Sequence, residues 1–356
     1  MNDPEPDLPE RPQRATAEMV ARIAKVSRVA VSRAFNPGAS IKPEKRAHIL
    51  EVAQDLGYAP DRAARALVTR RSHLVGVIVP DVCSPWESQE IDALTTALQN
   101  EGFATLLFKT RTDYSIDPTL LTYMRGFNPD SVIAYTENVR PETLARVLDR
   151  AVPIYIGYPV VSGGTGSTDE VHLFDSLNVL AREGIDQAVA MMQGFGARRI
   201  AYLSGLASSL ASVAREETLR TVLRERDLPN PKVIPGDFTY DTAYAATLDL
   251  FRVGEGADAI FAANDVGAFG AIDALRHELN LRVPEDVMVV GFDDIAQAHW
   301  KSYNLTTVKI DLDQRVRALV RLILRRLKDP HAPPMEESVP TRLVVRGTVG
   351  RRELAS

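Results

Sequence analysis

Apolar residues follow two rhythms along this chain. Between Thr16 and Pro60 they recur at helical spacing, with Val20, Ile23 and Ala24 at i, i+3 and i+4 on one face of a short helix. Thr16 is placed to cap that helix, and Glu18 falls in its first turn, where the helix dipole favours an acid. Ser27 is a second N-cap, and a second helix is predicted through Val31 and Ala34 to about Phe35. Two short helices joined by a turn of three or four residues form a helix-turn-helix unit. A third amphipathic helix starts at Pro43, turns Ile49, Val52, Ala53 and Leu56 inward, and stops at Gly57.

Beyond His73 the rhythm changes to short apolar runs alternating with helical stretches. Strand candidates are LVGVIVP, ATLLFKT, SVIAYT and PIYIGY in the first half, then RIAYLSG, AIFAAND, VMVVGFDD, LTTVKID and TRLVVRG. Such alternation predicts parallel sheets with helices on both faces. The two halves repeat one architecture, with a break near the loop VSGGTGSTDE at 161–170.

Charge sharpens the division. The formal net charge is −5 over 356 residues. Residues 1–10 carry four acids and no base, residues 11–71 carry 13 Lys/Arg against five Asp/Glu, and the remainder is acidic. A basic segment on an acidic body suits a phosphate-binding head, and equally a solvated charged face. The opening MNDPEPDLPE has neither the basic nor the apolar region of a signal peptide, and Cys83 is the single cysteine, so a cytoplasmic protein is expected.

The basic head resembles that of the lactose-repressor (LacI/GalR) family through VARIAKVS, VSRAFN and ILEVAQDLGYAPDRAARAL, about 50 residues without a gap. FAANDVGAFGAIDAL, LRVPEDVMVVGFDDI and LTTVKID resemble signature stretches of the same family's core. The resemblance implies an α plus α/β protein: a helix-turn-helix head with a hinge helix, then two Rossmann-like lobes resembling a type I periplasmic-binding-protein core. On this reading residues 1–14 are a disordered tail, 15–59 the DNA-binding domain, 60–71 the hinge, and 72–356 an effector-binding and dimerising core. The first lobe takes about 72–160 and 295–325, and the second about 165–293 and 330–356. No heptad repeat follows the last strand candidate, so a homodimer is expected rather than a tetramer.

The family pattern implies that the second helix enters the major groove of double-stranded DNA and reads a pseudo-palindromic operator. Arg28 and Arg33 then address guanine, and Val29 an apolar feature such as a thymine methyl. Thr16, Ser27, Ser32 and Asn36 match positions that contact phosphate or hold the helix on the backbone. Lys25 stands where the family usually has glycine, at about 1 kcal/mol if left-handed, and Lys42 replaces a Ser/Thr cap with a charge. Leu67, in PDRAARALVTRR, matches the leucine wedged into the central base step. A disordered linker fits that run as well in the absence of DNA, because a helix so short is marginal in water.

Carried over to the core, the pattern assigns Ser84 and Trp86 to the first-lobe side of an effector cleft, and Phe238, Asn264 and Asp293 to the second. Asn and Asp bracket vicinal hydroxyls, and Trp and Phe stack on a flat face, although core packing is the commoner fate of such aromatics. Four positions depart from the family: Tyr158 replaces an Asp, Leu180-Ala181 an Asp-Asn pair, and Val213 the ligand-gripping arginine in ungapped register. Arg215 substitutes for that arginine only if the loop shifts. The expected effector, a sugar or nucleoside-like molecule, is therefore uncharged with a flat or apolar face; a vestigial pocket on a ligand-independent DNA-binding dimer is the alternative. Catalysis is not expected, nor a metal or cofactor. GGTGST at 163–168 lacks the Lys-Ser/Thr of a phosphate loop, the six histidines show no metal spacing, and Asp293-Asp294 end a strand where open α/β sheets bind ligands.

Overall fold

The computed structural model describes residues 15–36, 38–60, 66, 71–79, 82–110, 117–134, 144, 153–157, 174–254 and 256–351. The chain divides into two compact units, residues 1–72 and 73–356. Tail residues 1–14, most of the hinge run including Leu67, and Tyr158 lie outside the described residues.

In the first unit, α1 (Ala17–Ile23) and α2 (Arg28–Ala34) are capped by the predicted hydroxyls: Thr16 accepts from the Met19 amide at 3.3 Å and Ser27 from the Ala30 amide at 3.2 Å. Each such cap contributes about 1 kcal/mol. The helix α3 (Pro43–Asp55) has Lys42 at its N-cap with no side-chain cap bond, and Gly57 leaves it at φ 62°. Val20, Ala21, Ala24, Val31, Ala34, Ile49, Val52 and Ala53 form the core, rimmed by Phe35, Leu56 and Tyr58. Ile23 is half exposed, unlike its predicted inward position, and Ala21 is buried instead. In a helix of seven residues the two faces differ by one position, and the close packing of α1 favours the smaller side chain.

The second unit is an α/β body. Its first half comprises β1 (Leu74–Val79), α4 (Pro85–Asn100), β2 (Ala104–Lys109), α5 (Pro118–Gly126), β3 (Ser131–Ala134), β4 (Pro153–Gly157) and β5 (Asp175–Leu180). Next come α6 (Arg182–Gly194), β6 (Ile200–Leu203), α7 (Leu210–Glu225), β7 (Lys232–Ile234) and α8 (Tyr240–Arg252). They are followed by β8 (Ala259–Ala262), α9 (Asp265–Asp273), β9 (Met288–Asp293), β10 (Thr306–Ile310), α10 (Leu312–Lys328) and β11 (Glu336–Val344). The strand order is β2-β1-β3-β4-β5-β11-β10-β9-β8-β6-β7, parallel throughout except for the β10/β11 pair.

Two strands, β5 and β7, go beyond the candidates in the sequence, and β11 begins five residues before TRLVVRG. The β5 run DSLNVL hides its nature because its polar residues find partners far along the chain. Asp175, fully buried, takes Arg326 in a two-pronged pair at 2.6 and 2.8 Å and the Met335 amide at 2.8 Å. Asn178 donates to Glu336 at 2.6 Å. The first half thus extends past the loop at 161–170, where the sequence suggested a break. The second-half sheet keeps β10, which pairs with β9, so the return to the first half at 295–325 narrows to α10, packed on α4.

Among the described residues the chain passes between the halves three times. It leaves β5 for α6 at Leu180–Arg182 and β10 for α10 at Ile310–Leu312. The third passage lies inside β11, where Pro340 is in register with Leu180 of β5 and Thr341 with Ile310 of β10. Buried Thr341 ties these together, donating to the Leu180 carbonyl at 2.9 Å and accepting from the Gly184 amide at 3.2 Å. A Cβ on Gly184 would lie 2.4 Å from Val308, so the approach needs glycine.

Candidate functional site: a recognition helix and a buried charge cluster

On α2, Val31 and Ala34 face inward, which leaves Arg28, Val29, Ser32 and Arg33 outward; Val29, a large apolar side chain, is 60% exposed. Asn36 and Lys42 are also exposed, and Asn36 accepts from the Gly38 amide at 3.3 Å. Lys25 adopts φ 52°, the left-handed conformation its glycine-like position requires. Sequence reasoning missed Arg46. From α3 its guanidinium donates to the carbonyls of Ala34 (3.1 Å), Asn36 (3.0 Å) and Ala39 (2.9 Å), clamping the loop that leaves α2. The available signal was its spacing: Arg46 falls three residues before Ile49, on the inward row of α3.

In the body, Ser84 and Trp86 follow the carboxyl end of β1, Phe238 that of β7 and Asn264 that of β8, while Asp293 ends β9. Ligands of open α/β sheets bind at such ends. Ser84 precedes α4 without capping it and donates to Glu87. Trp86 is half-buried and packs against one apolar cluster that spans both halves and another in the second half. Phe238 sits at φ 70°. Asn264 caps α9, accepting from the Gly267 amide at 2.9 Å and donating to the Phe238 carbonyl at 3.0 Å. One N–H and one lone pair of its amide remain for a ligand.

Arg215, not Val213, joins this group. Val213 is 40% exposed, whereas Arg215 is buried with its guanidinium 3.9 Å above the Phe292 ring and 3.6 Å from Asp293 Oδ1. It also donates to the Ala263 carbonyl. A cation therefore lies among these residues, and it faces an acid. Burial pushes the Asp293 carboxyl well up, Arg215 opposes the shift, Asp265 and Glu87 add to it, and Arg315 opposes it. Fully buried Asp265 accepts from the Ile295 amide at 2.9 Å and from Thr307 Oγ1 at 2.5 Å, yet burial still raises its carboxyl to about 7. Asp294 turns away to Lys309 at 3.0 Å and Arg346 at 2.5 Å.

A second acid–guanidinium pair, absent from the sequence reading, belongs to the first half. Glu90 of α4 is fully buried and pairs through Oε1 with Nε of Arg315 on α10. The Arg315 guanidinium lies 6.0 Å from the Trp86 ring. Glu90 Oε2 is buried without a hydrogen-bond donor among the described residues, as is Asp293 Oδ1. The signal was present: Glu90, Leu94 and Leu98 form one inward row on α4, in which an acid is out of place.

A helix-turn-helix head followed by an α/β body of this kind defines a DNA-binding transcriptional regulator. Residues 18–61 match the family model of bacterial regulatory proteins, lacI family, and residues 189–349 that of a periplasmic binding protein-like domain. The chain is 32% identical to the HTH-type transcriptional regulator CelR of Thermobifida fusca, covering 95% of this chain and 99% of the relative. It is 26% identical to the ribose operon repressor of Halalkalibacterium halodurans, covering 94% and 96%. Among solved structures, a CelR–cellobiose complex aligns at TM-score 0.66 and 28% identity, covering 94% and 100%. A lac repressor dimer bound to operator and an anti-inducer aligns at 0.78 and 22%, covering 94% and 99%. The chain belongs to the LacI family. Among the described residues no helix is long and apolar enough to cross a membrane.

Proposed function

We propose that this regulator is a cytoplasmic repressor that holds a pseudo-palindromic operator as a homodimer and is modulated by a small uncharged effector at the carboxyl-end cluster. The observation that carries the DNA reading is the outward edge of α2, its apolar side buried and its exit clamped by Arg46. Arg28 and Arg33 address guanine O6 and N7, and Val29 a thymine methyl. Thr16, Ser27, Ser32, Asn36 and Lys42 anchor the backbone, the first two while capping their helices. Leu67 is the wedge at the central step. Pairing through the first half is supported by Leu107, Tyr123 and Phe127, which expose apolar surface on edge strand β2, on α5 and just beyond α5.

Selection of bound DNA from a random library tests this reading. An inverted repeat with half-sites about one helical turn apart is expected; a selected site without twofold symmetry overturns it.

For the effector, Ser84, Trp86, Tyr158, Arg215, Phe238, Asn264 and Asp293 form the set, and an uncharged ligand is favoured because Arg215 already faces Asp293. Burying an unpaired charge beside them costs several kcal/mol. The CelR–cellobiose complex makes neutral saccharides the first ligands to try. The alternative, a regulator that needs no ligand, draws on Asn264 and Arg215, both engaged within the protein. A thermal-shift screen separates the two, since a ligand at 100 times its Kd adds about 2.7 kcal/mol.

A further inference from the structure

We propose that Glu90 and Arg315 form a second polar subsite for the effector, on the first-half side opposite Asp293, and that it selects a ligand presenting a neutral hydroxyl to the Glu90 carboxylate. The inference rests on the effector reading above and adds two binding residues to it.

The geometry begins with Glu90. An ionised carboxylate removed from water needs hydrogen bonds to both oxygens, and leaving one unmade costs more than the bond itself returns. Oε1 has Arg315; Oε2 is buried and has no donor among the described residues. On the second half Asp293 Oδ1 is in the same position, 3.6 Å from Arg215. The cluster therefore holds two buried carboxylate oxygens without a donor among the described residues, one on each half, each next to a guanidinium. The Trp86 ring is 6.0 Å from the Arg315 guanidinium and packs against one apolar cluster that spans both halves and another in the second half.

Charge then decides the ligand class. Each acid is balanced by its own arginine, so an anion would meet Glu90, Glu87 and Asp293 without an unbalanced cation, and a cation would compete with Arg315 and Arg215. A hydroxyl does neither: it donates to a carboxylate oxygen while its lone pairs face a guanidinium. A purely structural ion pair is the competing account of Glu90–Arg315. Such pairs are often replaceable by apolar residues of similar size at little cost to stability, and that property makes the two accounts separable.

The test uses the full-length protein, cellobiose, ribose and a panel of other neutral saccharides as probes, and Glu90→Leu/Arg315→Leu as the variant, which leaves no buried charge unpaired. Calorimetry on the saccharide that binds the parent best should show affinity falling about tenfold or more, the order set by one hydrogen bond to a charged group. The parent should also distinguish that saccharide from one of its monodeoxy analogues, and the double variant should not. A variant that unfolds cooperatively yet binds the saccharide within about twofold of the parent and keeps the deoxy discrimination overturns the proposal. If the double variant does not fold, Glu90→Gln is judged by the deoxy comparison alone. A parent that binds no neutral saccharide but responds to charged metabolites sinks the hydroxyl subsite and the uncharged-ligand reading, and leaves only effector-modulated regulation standing. A parent that responds to no small molecule ends both.

Discussion

Arg33 and Lys42 are both exposed cations of the head, yet the fold gives them different work. Arg33 is on the outward edge of α2, while Lys42 precedes α3 as an N-cap that makes no cap bond. Arg33→Ala should cost about 1–3 kcal/mol of operator affinity and relax preference at one base pair, whereas Lys42→Ala should weaken all DNA alike and lower the salt slope. Binding titrations on operator and random duplexes at two salt concentrations read both; equal losses on the two duplexes for Arg33→Ala would remove its reading role. Asp265 offers a different test. Its carboxyl is raised by burial to about 7 from an ordinary 3.8, so the folded state holds the proton more tightly than the unfolded chain. The stability it confers is complete below about pH 4 and is lost as pH rises towards 7. Urea unfolding from pH 4 to 7 should therefore show Asp265→Asn losing less stability with rising pH than the parent. A parallel pair of curves would show that the proton is not held there.

At the scale of elements, Arg46 joins α3 to the exit of α2 through three carbonyls. Replacing it with methionine should cost the head about 1.5–3 kcal/mol, as hydrogen bonds to a charged group do. Operator affinity should fall with the order of α2 although Arg46 itself turns to the carbonyls of Ala34, Asn36 and Ala39; a thermal melt beside a binding titration would reveal the link. The elements of the head were legible because caps, stops and apolar spacing agree locally at Thr16, Ser27, Pro43 and Gly57. The body was legible wherever a strand is a continuous apolar run. It was not legible at β5, whose Asp175 and Asn178 are satisfied by α10 and β11 more than 150 residues on. Nor was the site complete. Arg215 needed the turn into α7 to be seen before it could be preferred to Val213, and Glu90 with Arg315 meets only across two helices 225 residues apart. Asn264 shows the reverse case, in which a residue named for the ligand first serves as a cap, whereas Ser27 caps as its place before α2 predicted.

For the molecule as a whole, the two halves of the body are joined at the three crossings described above. Thr341→Val keeps the shape and removes the hydroxyl that serves Leu180 and Gly184. With a buried amide and a partly buried carbonyl left unpaired, the loss should be about 1–3 kcal/mol, seen as a lower midpoint in chemical unfolding; an unchanged midpoint would mean that water replaces the hydroxyl. The same knot sets a threshold. If open and closed arrangements differ by only a few kcal/mol, a small bias at Pro340 or Thr341 shifts how much effector is needed to reach half-response. That bias involves neither the recognition helix nor the ligand groups. Dose sensitivity is thereby a third adjustable quantity, separate from which DNA is read and which molecule is sensed, and it is lodged in a handful of residues where one strand changes partners.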